Sequence, residues 1–385
     1  MVRRLAQISY TKKNVASIML IAILATIIYS NSFDCSFHFD DQHAIVENYA
    51  IHRFDLKEIL SHDRPVLYLT LALNYYFGKL HVFGYHMVNL LLHIANGIML
   101  YFILLWTVNP VSPVNSLNFR VPLYASLIFI AHPIQTQAVT YIICRSSVLA
   151  TSFYLLSLLL FIKAFQKGSK LYLIGAFLAS CLGMGTKQIA ATLPLMLLIY
   201  DFYFISDGNW KILKGHYKVH VVMFSTAAIA FYLSLSGLKT FISFDYTKGV
   251  PMPLGEPITS FQYFMTQLHV IPYYIKLLFI PTNLNLDYDW PITKSIDLST
   301  IFFFIHLSSI VILAIMLFHR SRLLSFGIIW FFVTLSVTSS FIVIYDVIFE
   351  HRLYLPSIGF AIFMALMISR ISQMRLGKKL ELNPA

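Results

Sequence analysis

Apolar windows long enough to cross about 30 Å of hydrocarbon as helices recur along the chain. They lie near residues 15–31, 84–108, 145–163, 188–205, 218–237, 299–318, 323–345 and 353–370, with shorter ones near 121–132 and 170–185. A water-soluble core cannot absorb so many, and windows of this length specify helices, whose backbone polar groups are satisfied internally. The chain reads as an all-α polytopic membrane protein. Its 12% of charged residues agrees, against about 25% in ordinary soluble domains.

The formal net charge of +11 does not point to nucleic acid, because the basic residues fall in short clusters between apolar windows. Lys163, Lys167 and Lys170; Lys211, Lys214 and Lys218; Arg320 and Arg322; and Arg370, Arg375, Lys378 and Lys379 mark cytoplasmic ends. Arg3, Arg4, Lys12 and Lys13 precede the first window, and Tyr29-Ser30-Asn31-Ser32-Phe33 offers no small-x-small cleavage site. An uncleaved first helix with its N-terminus in the cytoplasm is expected. The clusters agree with about ten crossings, and both termini cytoplasmic, only if the apolar stretch Phe261 to Ile280 is not a simple crossing. Pro272 in its middle and Pro281 at its end favour a broken, re-entrant segment on the outer side. The expected organisation is one membrane domain over 1–374, with outer segments at 31–65 and 238–298, and a short basic cytoplasmic tail at 375–385.

The outer loop 31–65 holds Asp34, Asp40, Asp41, Glu47, Asp55, Glu58 and Asp63 against Arg53, Lys57 and Arg64. Two adjacent acids, Asp40 and Asp41, at the exit of a membrane helix are expensive to hold near hydrocarbon, which makes them candidate functional groups; the bland alternative is a solvated acidic loop. Phe54 to Leu60 has the apolar spacing of an interfacial helix, and Pro65 to Phe77 is too short to span. Arg64, His132, Arg145, Lys187, His351 and Arg352 fall at expected outer ends. An acidic pair facing several cations suits a substrate with a phosphate; taken singly, each cation reads as a snorkelling or interfacial residue.

His86, Asn89, His93 and Asn96 form one polar stripe on the second long helix. His86 and His93 stand about 10.5 Å apart along the axis, too far to share an ion, so helix-to-helix hydrogen bonding is the expectation. Cys35, Cys144 and Cys181 share no short spacing and make neither a metal cluster nor a disulfide framework; a Cys35–Cys144 bridge stays open if both lie outside.

These residues resemble a family. Asp40-Asp41 with Asn48 after the first helix, Arg64-Pro65, Gly84-Tyr85-His86 through His93, His132-Pro133-Ile134-Gln135-Thr136-Gln137 ending at Arg145, Thr186-Lys187-Gln188, Tyr200-Asp201, Tyr274 to Leu284, and His351-Arg352-Leu353-Tyr354-Leu355-Pro356 to Phe360 run in the order found in the transmembrane-and-TPR O-mannosyltransferases and their bacterial relatives, a branch of the GT-C glycosyltransferases. The resemblance covers nearly the whole chain. It departs where Gln137 and Gln188 stand at positions often acidic in the family, and where the TPR array is missing, which leaves acceptor recognition to another acceptor-binding partner.

The resemblance implies a GT-C-like bundle and an active site on the extracytoplasmic face. It also implies transfer of a hexose such as mannose from a polyprenyl-phosphate donor to a hydroxyl of an exported protein Ser or Thr, or of a glycan. Asp40 or Asp41, unranked, is the general base in an inverting displacement. Arg352, Lys187, Arg145, Arg64, His132 and His351 receive the phosphate. No metal is required on the family's pattern, although a paired acid leaves a divalent ion open. The competing readings are a lipid-linked-glycan polymerase or ligase, which relies on Arg and His in a large loop; a lipid-linked-sugar flippase or other transporter, which needs ionisable groups at mid-membrane; and a scaffold without catalysis. The acid pair and the nearly uncharged helix centres favour the transferase.

Overall fold

The computed structural model describes the backbone of residues 2–108, 117–233, 250–252, 255–344 and 346–381, with side chains over 11–108, 120–233, 257–344 and 346–372. Parts of the expected span 218–237, the outer region 238–298, the span 323–345 and the basic tail lie outside the described residues. The longer helices are α1 (Val2–Tyr29), α2 (Pro65–Gly78), α3 (Val82–Val108), α4 (Leu117–Ala131), α5 (Arg145–Lys167), α6 (Lys170–Met184), α7 (Leu193–Tyr200), α8 (Tyr217–Ser225), α9 (Ser260–Phe279), α10 (Leu298–Met316), α11 (Arg322–Leu335) and α12 (Ser357–Glu381).

Among the described residues five stretches are long and apolar enough to cross a membrane: Thr11–Ser32, Val82–Val108, Ile142–Lys167, Gln188–Ile205 and Leu298–His319. Shorter apolar helices run over Arg120–Ala131, Lys170–Met184, Tyr217–Leu233, Arg322–Leu335 and Ser357–Ser372. The exposed side chains of α10 include Phe302, Ile305, Ile312 and Met316, as contact with lipid demands.

In lipid, helices gain little from apolar burial against one another, so close packing and interhelical hydrogen bonds hold the bundle. Both are visible here. A Cβ on Gly359 would come within 2.2 Å of the Gly327 carbonyl oxygen, so only glycine lets α12 touch α11 at the point where α12 begins. The polar stripe of α3 is buried throughout and bonds neighbouring elements. His86 Nε2 donates to Cys35 O at 2.9 Å, and Asn89 Nδ2 donates to Val139 O at 3.2 Å. Asn96 Nδ2 donates to the Tyr354 hydroxyl at 3.0 Å, which donates to His93 Nδ1 at 2.7 Å, leaving His93 Nε2 to donate to Ile130 O at 3.2 Å. That chain of donors fixes His93 as a neutral imidazole and ties the turn just before α12 to α3 and α4.

The main core lies among α1, α3, α4, α5, α7, α11 and α12. Two smaller clusters flank the functional end: one under the acidic loop, with Ile45, Ile51, Ile59, Leu67 and Tyr85, and one beneath α9, with Tyr263, Tyr274, Leu335, Ile348 and Leu353.

Two expectations are corrected. The stretch expected to break at Pro272 is one continuous helix, Ser260–Phe279, begun by a Thr259–Gln262 capping box, which satisfies orphan amides at its start; its buried face packs on the second cluster rather than folding back. The short antiparallel pair Val250–Met252 with Gly255–Ile258, in a Pro- and Gly-containing stretch, is a minor addition to described elements that are otherwise helical, as an all-α chain requires. The span expected over 323–345 stops at Leu335, where Ser336 Oγ bonds Val333 O at 2.8 Å and Thr338 Oγ1 bonds Leu335 O at 3.2 Å, side-chain competitors for the helix's own carbonyls. Cys35, Cys144 and Cys181 are free thiols, so the Cys35–Cys144 pairing that the sequence left open is not made.

Candidate functional site

The acidic loop is a series of capped turns, and the caps sort its acids. Asn48 caps the short helix Tyr49–Arg53, accepting from the amides of Ala50 and Ile51, and Asp55 caps Leu56–Ser61 in the same way. Glu47 takes hydrogen bonds from Gln42 and His43. Upstream, Phe39 adopts a left-handed conformation at φ 48°, a strained choice for a bulky residue. The turn it makes sends the next two acids different ways.

Asp41 is fully buried. Its Oδ1 accepts from the Ile143 amide at 2.8 Å and its Oδ2 from the His38 amide at 3.3 Å. It is a clamp between the acidic loop and the turn that starts α5. Burial pushes its carboxyl up to about 6, against the opposing pull of those two amides. Asp40 is exposed, and among the described residues its carboxylate has no hydrogen-bond or ion-pair partner. Its backbone is held instead: the Asp40 amide donates to the Tyr141 hydroxyl at 2.9 Å, while His38 stacks on Tyr141 with ring centroids 4.7 Å apart.

The cations come from three other segments. The Val66 amide donates to Gly185 O at 3.1 Å, which lays the start of α2, with Arg64 at its N-cap, beside the linker bearing Lys187. Lys187 Nζ donates to Ser147 Oγ at 2.7 Å. Burial, with the Arg64 and Arg352 charges beside it, pushes Lys187 down to about 7. His351 is held well below the ordinary histidine range by burial and then by Lys187, Arg352 and Arg64; its Nδ1 has no partner. Arg352 Nη1 donates to Val347 O at 3.1 Å and to the Tyr263 hydroxyl at 3.3 Å, and Nη2 donates to Asp346 O. Three of its five N–H groups are thereby used, and no carboxylate pairs with its charge among the described residues.

The acids and cations share one locality. The Cys144 thiol lies within electrostatic reach of Lys187, Asp41, Asp40 and Arg64, and the Asp346 carboxyl within reach of Arg352, Asp287 and Asp40. The structure therefore brings together Asp40, Asp41, Arg64, Lys187, His351 and Arg352. It places Arg145 and His132 in other duties. The Arg145 side chain is fully buried, with Nε donating to Asn89 Oδ1 at 2.8 Å, Nη2 to Tyr85 O at 3.0 Å and Nη1 to Thr70 O at 3.3 Å. The His132 ring uses both nitrogens on backbone: Nδ1 accepts from the Ile134 amide and Nε2 donates to Leu278 O at 2.9 Å.

Residues that sequence reasoning passed over also belong here. Tyr141 and Ser147 hold the Asp40 backbone and the Lys187 side chain, the Asp346 carboxyl lies within electrostatic reach of Asp40, and the buried Glu350 bonds the Tyr288 hydroxyl and the Asn285 amide. Glu350 adjoins the His351-Arg352 motif, a signal that was legible; Tyr141 and Ser147 carry none. No group of three or more His, Cys, Asp or Glu side chains converges as a metal would require among the described residues, and the acid pair diverges.

No family model matches the chain. Curated relatives do. The human protein O-mannosyl-transferase TMTC3 is 26% identical over 95% of this chain and 44% of its own length. A Caenorhabditis elegans protein O-mannosyl-transferase is 26% identical over 94% of this chain and 52% of its own length. The human protein O-mannosyl-transferase TMTC4 is 27% identical over 52% of this chain and 31% of its own. The chain spans about half or less of the length of these relatives, and the similarity to the first two runs through nearly all of it, site included.

Proposed function

We propose that the chain is a GT-C-type glycosyltransferase that moves a mannose from a polyprenyl-phosphate donor to a Ser or Thr hydroxyl of an exported protein, on the extracytoplasmic face of the membrane. The five long and five shorter apolar helices then make about ten crossings with both termini cytoplasmic. The observation that carries this reading is an exposed Asp40, unpartnered among the described residues, in one locality with Arg64, Lys187 and Arg352, whose ion pairs to carboxylates among the described residues amount to the 3.5 Å approach of Arg64 Nε to Asp63, with the Asp346 carboxyl within electrostatic reach of Arg352.

Asp40 accepts the proton of the acceptor hydroxyl as its oxygen attacks the anomeric carbon. The bond from that carbon to the phosphate oxygen breaks, its electron pair leaves with the phosphate, and configuration inverts. Lys187, Arg64 and the two free N–H groups of Arg352 hold the departing anion where its charge grows, and a phosphate needs no acid to leave. Asp41 shapes the loop and does not meet the substrate. The relatives' names point to the same sugar and to a protein acceptor.

The test is transfer by the purified chain, in lipid nanodiscs, from polyprenyl-phosphate mannose to Ser- and Thr-containing peptides read by mass spectrometry. Transfer with inverted anomeric configuration, abolished in Asp40→Asn at unchanged membrane yield, is the expected result. Full transfer by Asp40→Asn would sink the assignment.

A further inference from the structure

Gln137, one of the positions where the sequence departs from the family's acidic pattern, is nearly buried on the short helix Thr136–Thr140. Its side chain joins two segments distant in sequence. Nε2 donates to Leu286 O at 2.8 Å, and Oε1 accepts from the His351 amide at 2.7 Å. The partners fix the orientation of the amide, since a carbonyl can only accept and a backbone N–H can only donate. One residue earlier, Glu350 Oε1 accepts from the Asn285 amide at 2.6 Å and from the Tyr288 hydroxyl. The segment 285–288 of the loop after α9 is thus stitched to the turn Glu350–Leu353 at two consecutive residues.

That turn has little regular structure of its own to fix it. It is a single 3-10 turn, Glu350–Leu353, and Arg352 is aimed by carbonyls at 346 and 347 in the same irregular stretch. What holds the stretch comes from outside: Gln267, whose Nε2 donates to Val347 O at 2.8 Å, Tyr274, whose hydroxyl bonds both the amide and the carbonyl of Phe349 at 2.9 Å, and the Gln137–Glu350 clasp. Among these, Gln137 bonds the turn and the loop with one side chain. A carboxylate in its place would still accept from the His351 amide but could not donate to Leu286 O, and would set two acceptors against each other. The chemistry of the position requires an amide.

We propose that Gln137 is a positioning residue that sets His351 and Arg352 for the donor phosphate by locking their turn to the outer loop, with Glu350 as the second half of the clasp. This rests on the donor-phosphate reading of Arg352 given above. It acts through Arg352 and does not touch the substrate.

The experiment uses the full chain in nanodiscs of neutral lipid and follows three readouts: equilibrium binding of polyprenyl phosphate, transfer kinetics for donor and acceptor peptide, and amide exchange over 283–290 and 349–353. Gln137→Glu should weaken polyprenyl-phosphate binding and donor kcat/KM by about tenfold or more, the effect of losing one buried hydrogen bond. It should leave the acceptor KM within about twofold and raise exchange in both segments together. Glu350→Ala should do the same from the other side, while the conservative Glu350→Gln, which keeps an oxygen for both donors, should rescue binding. Faster exchange in both segments with polyprenyl-phosphate binding unchanged overturns the proposal. A wild-type chain that binds polyprenyl phosphate, loses it on Gln137→Glu and yet transfers no mannose keeps the clasp and sinks the transferase reading. Wild-type protein that binds no polyprenyl phosphate overturns both.

Discussion

Replacing each member of the acid pair separately should give two different failures. In Asp41→Asn the new side chain offers one oxygen and one NH2 group to two backbone donors, the Ile143 amide at 2.8 Å and the His38 amide at 3.3 Å. One of those amides must then face another donor in a buried place. Leaving a buried donor unsatisfied costs about 1–3 kcal/mol, which corresponds to a roughly 5- to 150-fold rise in local opening. Hydrogen exchange of the 141–145 turn, followed by mass spectrometry on protein in nanodiscs, should accelerate by that factor, and transfer should fall with it. Asp40→Asn removes an exposed carboxylate with no partner. Exchange there should be unchanged while transfer drops by about 100- to 10,000-fold, the usual worth of a general base. Equal acceleration in both variants, or none in Asp41→Asn, would refute the division of labour. The pH dependence gives an independent arm. Burial raises Asp41 to about 6, above its unfolded value, so the folded turn holds a proton that the open chain has released. Stability of the turn should therefore decline as pH rises from about 4 to about 6 and level off above, and Asp41→Asn should abolish that slope.

Three further outcomes are expected. With Lys187 pushed down to about 7, the free protein loses this cation as pH rises through that value, so donor kcat/KM should fall tenfold per pH unit above about 7; Lys187→Arg should flatten the fall, and a flat wild-type profile from pH 6 to 9 would remove Lys187 from phosphate binding. Gly359→Ala puts a Cβ at 2.2 Å from the Gly327 oxygen, an overpacking that should cost about 1–3 kcal/mol, seen as an earlier thermal transition of detergent-solubilised protein. Tyr354→Phe strands His93 Nδ1 and leaves Asn96 Nδ2 with Val148 O as its remaining partner, and should cost about 1–2 kcal/mol in the same assay, with no metal dependence appearing or disappearing.

What could be read in advance divides along a physical line. Apolar length and basic clusters are additive properties of a stretch, so each expected window holds an apolar helix, and the three-four-three spacing of His86, Asn89, His93 and Asn96 set them on one buried face. Endings and directions are decided by partners elsewhere in the chain. Pro272 sits in an unbroken helix because Thr259 and Gln262 start it well and its buried face has a cluster to cover. The helix begun at Arg322 ends at Leu335 because hydroxyls take its carbonyls. The site shows the same division most sharply. Arg145 and Lys187 read alike in sequence, both basic at an outer helix end. Asn89, Tyr85 and Thr70 enclose the one in acceptors, whereas the other meets a single serine hydroxyl and two like charges. Arg145 is closed to an anion because it is fully buried with each of its three nitrogens already on an acceptor. A cation beside other cations is stabilised in its charged form most strongly when an anion arrives, and on the donor-phosphate reading proposed above that asymmetry, invisible to residue type, separates Arg145 from Lys187.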